Sequence, residues 1–140
     1  QEEGLENVLV TNGYVNPKPL EEMLPFIGAM NVDLKSIDDE FYRKYCKGSL
    51  EPVLHTIKRS AEVCHVELTN LVIPGLNDSE ENFNRLVDWV YNNVGADAPL
   101  HFSRYFPCYK LDRPVTSKET LEKAYKIAKN KLKNVYIGNV

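Results

Sequence analysis

Strand-like runs alternate with helical stretches along all of this 140-residue chain, and no other feature constrains its fold as strongly. Parallel neighbours need a crossover of a dozen or more residues, so strands spaced by helices imply a parallel sheet. The strands are expected near Asn7–Thr11, Ala29–Leu34, His65–Val72, Pro99–Tyr105 and Asn134–Ile137. Between them the clearest helix runs from Ser79 to Val94, because Phe83, Leu86, Val87, Val90 and Val94 recur at helical spacing. Asp78 with Glu81, and Thr116 with Glu119, have the spacing of a capping box ahead of their helices. Leu50, Val53, Leu54, Ile57 and Ala61 form a third apolar stripe, and shorter helices are expected around Leu20–Phe26 and Asp38–Tyr45.

Successive strand residues point to opposite faces. Met30, Val32 and Leu34 therefore oppose Asn31, Asp33 and Lys35, while Val66 and Leu68 oppose His65, Glu67 and Thr69. His101, Ser103 and Tyr105 share a face in the next strand. A flat sheet buried on both sides reads as nearly continuous apolar strands, and these strands do not. The expected fold is thus α/β, a partial (β/α) barrel of about five parallel strands with outer helices and a polar inner face. No low-complexity linker interrupts the alternation, so residues 1–140 are read as one domain.

The balance of charge removes some function classes. Twenty acidic against seventeen basic residues give a net charge of −3, without the electropositive surface that a phosphate backbone demands; nucleic acid is not an expected partner. No apolar run approaches the roughly 20 residues of a membrane span, and the polar start at Gln1–Asn7 does not read as a signal peptide. A cytoplasmic protein is expected. Cys46, Cys64 and Cys108 are odd in number and widely spaced, which fits reduced thiols better than a disulfide framework or a zinc site.

In barrels of this kind the functional groups collect at the C-terminal ends of the strands. Asp33 and Lys35 flank Leu34 there on one face, about 6–7 Å apart along an extended backbone. They can face a zwitterionic or hydroxylated ligand, or simply pair with each other. Thr11-Asn12-Gly13 reads as a strand entering a turn, and Val72-Ile73-Pro74-Gly75 as a strand end before a helix. Arg104 and Lys110 lie near Tyr105, Phe106 and Tyr109, an aromatic run suited either to a flat base or to the core. His101 reads as a satisfied interior or rim histidine rather than a catalytic base. No phosphate-cradling loop or nucleophile elbow is present.

Taken in order, VTNGYVNPKPLEEMLPFI, MNVDLKS, LVIPGLND and HFSRYFPCYKL resemble the half of radical S-adenosylmethionine enzymes that follows their cluster loop. The likeness is to the pyruvate formate-lyase activating type, with the radical SAM protein of the AmmeMemoRadiSam system as the nearest member, and it covers essentially the whole chain. It implies a portion of a (β/α)6 core, and a [4Fe–4S] cluster held by a CxxxCxxC loop. It also implies S-adenosylmethionine cleaved to a 5′-deoxyadenosyl radical that abstracts hydrogen, from a protein partner in a glycyl-radical activating enzyme.

By that resemblance Asp33 and Lys35 form the family's DxK element on the methionyl part and ribose, and Thr11 and Asn12 lie near the carboxylate. Thr69 and Leu71 run along ribose and adenine, and Phe106 and Tyr109 close the last cofactor-facing strand end. Departures are Val10 where an acid often stands, and Tyr109 where a histidine often stands. The CxxxCxxC and GGEP elements are missing and are expected upstream of Gln1. Both ends are read as cut, because Gln1 lacks an initiator Met with a strand starting almost at once, and Asn134–Val140 stops just after a strand. No catalytic residue or cluster ligand is expected in this chain, which is expected to be inactive alone and to self-associate. Two other readings stand beside this one: a Schiff-base lyase or aldolase piece using Lys35, and a non-catalytic α/β ligand-binding domain.

Overall fold

In a computed structural model that describes residues 3–140, five parallel strands form one sheet in the order β1-β2-β3-β4-β5. They are β1 Val8–Thr11, β2 Ala29–Asp33, β3 His65–Val72, β4 Leu100–Arg104 and β5 Val135–Gly138. The helices are α1 Pro17–Met23, α2 Asp39–Phe41, α3 Glu51–Ala61, α4 Glu80–Asn93 and α5 Lys118–Lys129. A π-turn, Tyr42–Cys46, continues α2. Every expected strand is present, and each connection is a crossover, as a parallel sheet requires.

Side chains alternate as the sequence implies. Met30 and Val32 of β2, Val66, Leu68 and Val72 of β3, and Leu100 and Phe102 of β4 are buried against the helices. Asn31 and Asp33, Glu67 and Thr69, and His101 and Ser103 share the opposite face, where they are only partly buried. The helices contribute Val53 and Ile57, Phe83 and Leu86, and Leu121 and Ala124 to the same core. An edge-to-face pair of Phe83 and Phe102, 5.7 Å between centroids, sits where α4 meets β4; such pairs contribute about 0.5–1.5 kcal/mol beyond the burial of their area.

Several local expectations are corrected. Strand β2 ends at Asp33, not Leu34. The α4 cap is Ser79, whose hydroxyl accepts from Asn82 N–H at 3.1 Å, because Asp78 accepts instead from Gly75 N–H at 2.8 Å. The α5 cap is likewise Ser117, accepting from Thr120 N–H, since the Thr116 hydroxyl is buried between β3 and β4. Helix α1 starts at Pro17, ahead of the expected Leu20; the missing N–H of proline costs nothing in a first turn. Tyr105 lies beyond the end of β4 and is 5% exposed, so it leaves the polar face.

Among the described residues β1 pairs only with β2, and on the face opposite the helices Val8 and Val10 are 66% and 74% exposed. An unpaired edge carrying exposed β-branched side chains is a template for another chain. Concentration-dependent self-association is expected in sedimentation velocity, with Val10→Lys shifting the chain toward monomer. A monomer at all concentrations would contradict this.

Candidate cofactor-facing site

The carboxyl ends of β2, β3 and β4 enclose a cavity of about 220 Å³ lined by Asp33, Lys35, Thr69, Leu71 and Ser103. Asp33 and Lys35 reach it from the same side, although Lys35 lies two residues past the strand. Their side chains are 38% and 37% exposed, and Lys35 Nζ donates to Asp33 Oδ2 at 3.0 Å. At that exposure the pair adds little to stability; its effect is to place one negative and one positive group side by side on the cavity wall. The Thr69 hydroxyl donates to Asn31 Oδ1 at 2.9 Å, and Leu71 supplies an apolar wall. Ser103 is the lining residue that the sequence reading passed over as a site, although the alternation had already put it on this face.

Lys35 also borders a second, smaller cavity of about 60 Å³, shared with Asn12, Tyr14, Tyr42 and Cys46. Asn12 is thus brought near Lys35, but its Oδ1 accepts from Tyr14 N–H at 2.9 Å. Thr11 is placed differently. It is in register with buried Val32, on the helix side of the sheet, and its hydroxyl accepts from Gly13 N–H at 3.1 Å. Gly13 has φ +72°, and a Cβ there would stand 2.8 Å from Val32 Cγ1, so this tight entry to α1 admits only glycine.

Phe106 and Tyr109 line neither cavity. The Arg104 guanidinium covers the Phe106 ring at 5.2 Å. Tyr109 is 91% exposed with φ +59°, because the turn bridged by Cys108 and Leu111 projects it outward. Burial pushes the Cys46 thiol up, with Lys35 acting in the opposite sense, so it is poorly suited to act as a thiolate. Among the described residues no group of three His, Cys, Asp or Glu side chains is placed to hold a metal ion.

Lower on the same face, Glu67 accepts from His65 Nε2 at 3.1 Å and pairs with His101 Nε2 at 2.8 Å, while His101 stacks on Tyr136. Hydrogen bonds from His65 and then His101 hold the Glu67 carboxyl below its ordinary value of 4.5. A depressed folded-state value means that the ionised carboxylate stabilises the fold above the unfolded value, and that this is lost as pH falls through the lower folded value. Thermal melts from pH 6 to pH 3 are expected to show a shallower loss in Glu67→Gln than in the wild type. Identical slopes would show that this group is not linked to folding.

A parallel sheet clad in helices on one side, with polar groups gathered at the carboxyl ends of its strands, defines the class of partial (β/α) barrels. Residues 1–89 match the Radical SAM superfamily, and the chain belongs to that superfamily. S-adenosylmethionine and a [4Fe–4S] cluster are the general equipment of that family. The chain is 47% identical over its whole length to an uncharacterized protein of Methanocaldococcus jannaschii, of which it covers 42%. It is also 33% identical over 67% of its length to the (2S)-3-sulfopropanediol dehydratase activating enzyme of Klebsiella oxytoca, covering 30% of that protein. The chain thus spans less than half the length of these relatives. A domain of pyruvate-formate lyase-activating enzyme from Bacteroides vulgatus has the same fold, with a TM-score of 0.84 at 20% identity, covering 99% of this chain and 84% of that one.

No helix among the described residues is long and apolar enough to cross a membrane.

Proposed function

We propose that the cavity between the ends of β2, β3 and β4 takes the methionyl and ribose part of S-adenosylmethionine, in a cytoplasmic enzyme of which residues 1–140 form one domain. The observation that carries this reading is the Asp33–Lys35 pair on the cavity wall. Asp33 is suited to the ammonium or ribose hydroxyls, Lys35 to the carboxylate or a ring oxygen, and Thr69, Leu71 and Ser103 supply the hydroxyl-bearing and apolar remainder. At about 220 Å³ the cavity is smaller than the roughly 300–1,000 Å³ typical of ligand pockets, so it accounts for part of such a ligand.

Such a ligand, held by a [4Fe–4S] cluster and reduced, would supply a 5′-deoxyadenosyl radical for hydrogen abstraction. The residues of this chain bind and orient that ligand. A protein substrate, as for an activating enzyme, is the proposed partner, supported by the likeness to the Klebsiella oxytoca protein. The pairing of Lys35 Nζ with Asp33 Oδ2 at 3.0 Å sets opposite charges side by side, which supports recognition of a ligand carrying both charges over a lyase or aldolase.

Titrating the isotope-labelled chain with S-adenosylmethionine is expected to shift the amide resonances of Asp33, Lys35, Thr69, Leu71 and Ser103. Asp33→Asn and Lys35→Ala are each expected to weaken the response at least about tenfold, the scale of losing a charge-assisted hydrogen bond. Shifts confined to other strands, or a response in both variants equal to that of the wild type, would reject the site.

A further inference from the structure

We propose that Asn70, Asn77 and Tyr42 form a buried clamp that positions Lys35 for its ligand; the inference rests on the cavity reading above and names the residues that make that site rigid. The last sheet bond on this segment is Leu34 N–H to Thr69 O at 2.9 Å. Beyond it the backbone no longer has a strand to pair with, and side chains replace the ladder. Lys35 N–H donates to Tyr42 Oη at 3.1 Å. Asn70 Nδ2 donates to Leu34 O at 2.7 Å and to Lys35 O at 3.2 Å. Asn77 Nδ2 donates to Lys35 O at 2.7 Å and to Leu71 O at 2.9 Å. Both backbone polar groups of Lys35 are thus held by side chains from three separate segments, the π-turn, β3 and the loop after β3.

Each clamping residue is itself fixed. Asn70, Asn77 and Tyr42 are 0%, 2% and 3% exposed. Asn77 Oδ1 accepts from Ile73 N–H at 2.7 Å, and Asn82 Nδ2 donates to Asn77 O at 2.6 Å. Asn70 is the telling member. It occupies the helix-covered face of β3, between Leu68 and Val72, where an aliphatic residue would continue the core. Its Nδ2 must face the two carbonyls, which leaves Oδ1 buried without a partner. An unsatisfied buried acceptor is unfavourable, so the position does not serve packing; what it gains is a fixed Leu34–Lys35 backbone beside the cavity. Groups that orient metal-ligating side chains typically matter by about tenfold or more in affinity, and the same scale is expected for a charged side chain on an organic ligand.

The test is the S-adenosylmethionine titration repeated on Asn70→Leu, Tyr42→Phe and, as a control, Val135→Ala on β5, a core change separated from β2 by two strands. Well below their melting temperatures, the two clamp variants are expected to bind about tenfold more weakly, and Val135→Ala to bind as the wild type despite lower stability. Tyr42→Phe keeps the ring, so it answers if Asn70→Leu does not fold. Clamp variants that bind within twofold of the wild type, or a control that weakens as much as they do, overturn the clamp alone. A wild-type chain that shows no response overturns the cavity reading and the clamp with it.

Discussion

Phe102→Ala is expected to cost about 3–5 kcal/mol, the range for removing a buried aromatic ring. Phe102 is fully buried in the middle of β4, and its ring meets Phe83 of α4 edge to face at 77°. Truncation removes that contact and leaves a void between a strand paired on both sides and a helix that also packs on α5, so neither partner can easily move in to fill it. Domains of this size are stable by only about 5–15 kcal/mol, hence the variant is expected near the margin of folding. Urea unfolding is the measurement: the midpoint is expected to fall steeply with an unchanged slope. Phe83→Leu, which keeps most of the volume, is expected to cost less than half as much. Equal and small losses in both would mean that this contact is not central to the core.

The positions that were easy to read from the sequence are those governed by near neighbours. Met30, Val32, Val66 and Leu68 alternate with polar residues because one side of each strand meets helices, and that periodicity alone puts Asp33 and Thr69 on a common face. The same logic covers Ser103, which a stricter use of alternation would have included. The remaining positions depend on partners that strand periodicity does not announce, some distant in sequence and some within a tight turn. Asn70 stands on the apolar side of β3 for the sake of the Leu34 and Lys35 carbonyls, more than thirty residues away, and no local pattern announces that. Thr11 is a strand residue with a polar side chain, yet its hydroxyl serves the backbone of its own turn. Tyr109 follows Phe106 within an aromatic run, but the left-handed turn between Cys108 and Leu111 sends it outward. The helix caps slipped by one residue for a related reason: Asp78 and Thr116 have acceptor oxygens of the right kind, and both are already engaged with other backbone groups.

Thr116→Val is expected to cost about 2–6 kcal/mol, because the hydroxyl it removes serves two buried partners that would each lose about 1–3 kcal/mol if left unpaired. Thr116 is fully buried. Its hydroxyl donates to Val72 O at 2.6 Å and accepts from Tyr105 N–H at 3.0 Å, so one atom ties the end of β3 to the end of β4. Its backbone joins the same knot, with Thr116 N–H on Tyr105 O at 3.2 Å and Arg104 Nε on Thr116 O at 2.8 Å. Valine keeps the shape and the β-branch, so packing is nearly preserved and the loss reports the hydrogen bonds. Thr116→Ser keeps the hydroxyl and is expected to lose about 1 kcal/mol for the missing methyl group. Urea midpoints rank the two, and hydrogen exchange at the Tyr105 amide separates local from global opening: in Thr116→Val it is expected to quicken beyond the change in overall stability. The consequence reaches the cavity, since Leu71 and Ser103 directly precede the two strand ends that this hydroxyl joins. A valine variant as stable as the serine one would mean that the β3 and β4 ends are held together by packing, and that the wall carrying Leu71 and Ser103 does not depend on Thr116.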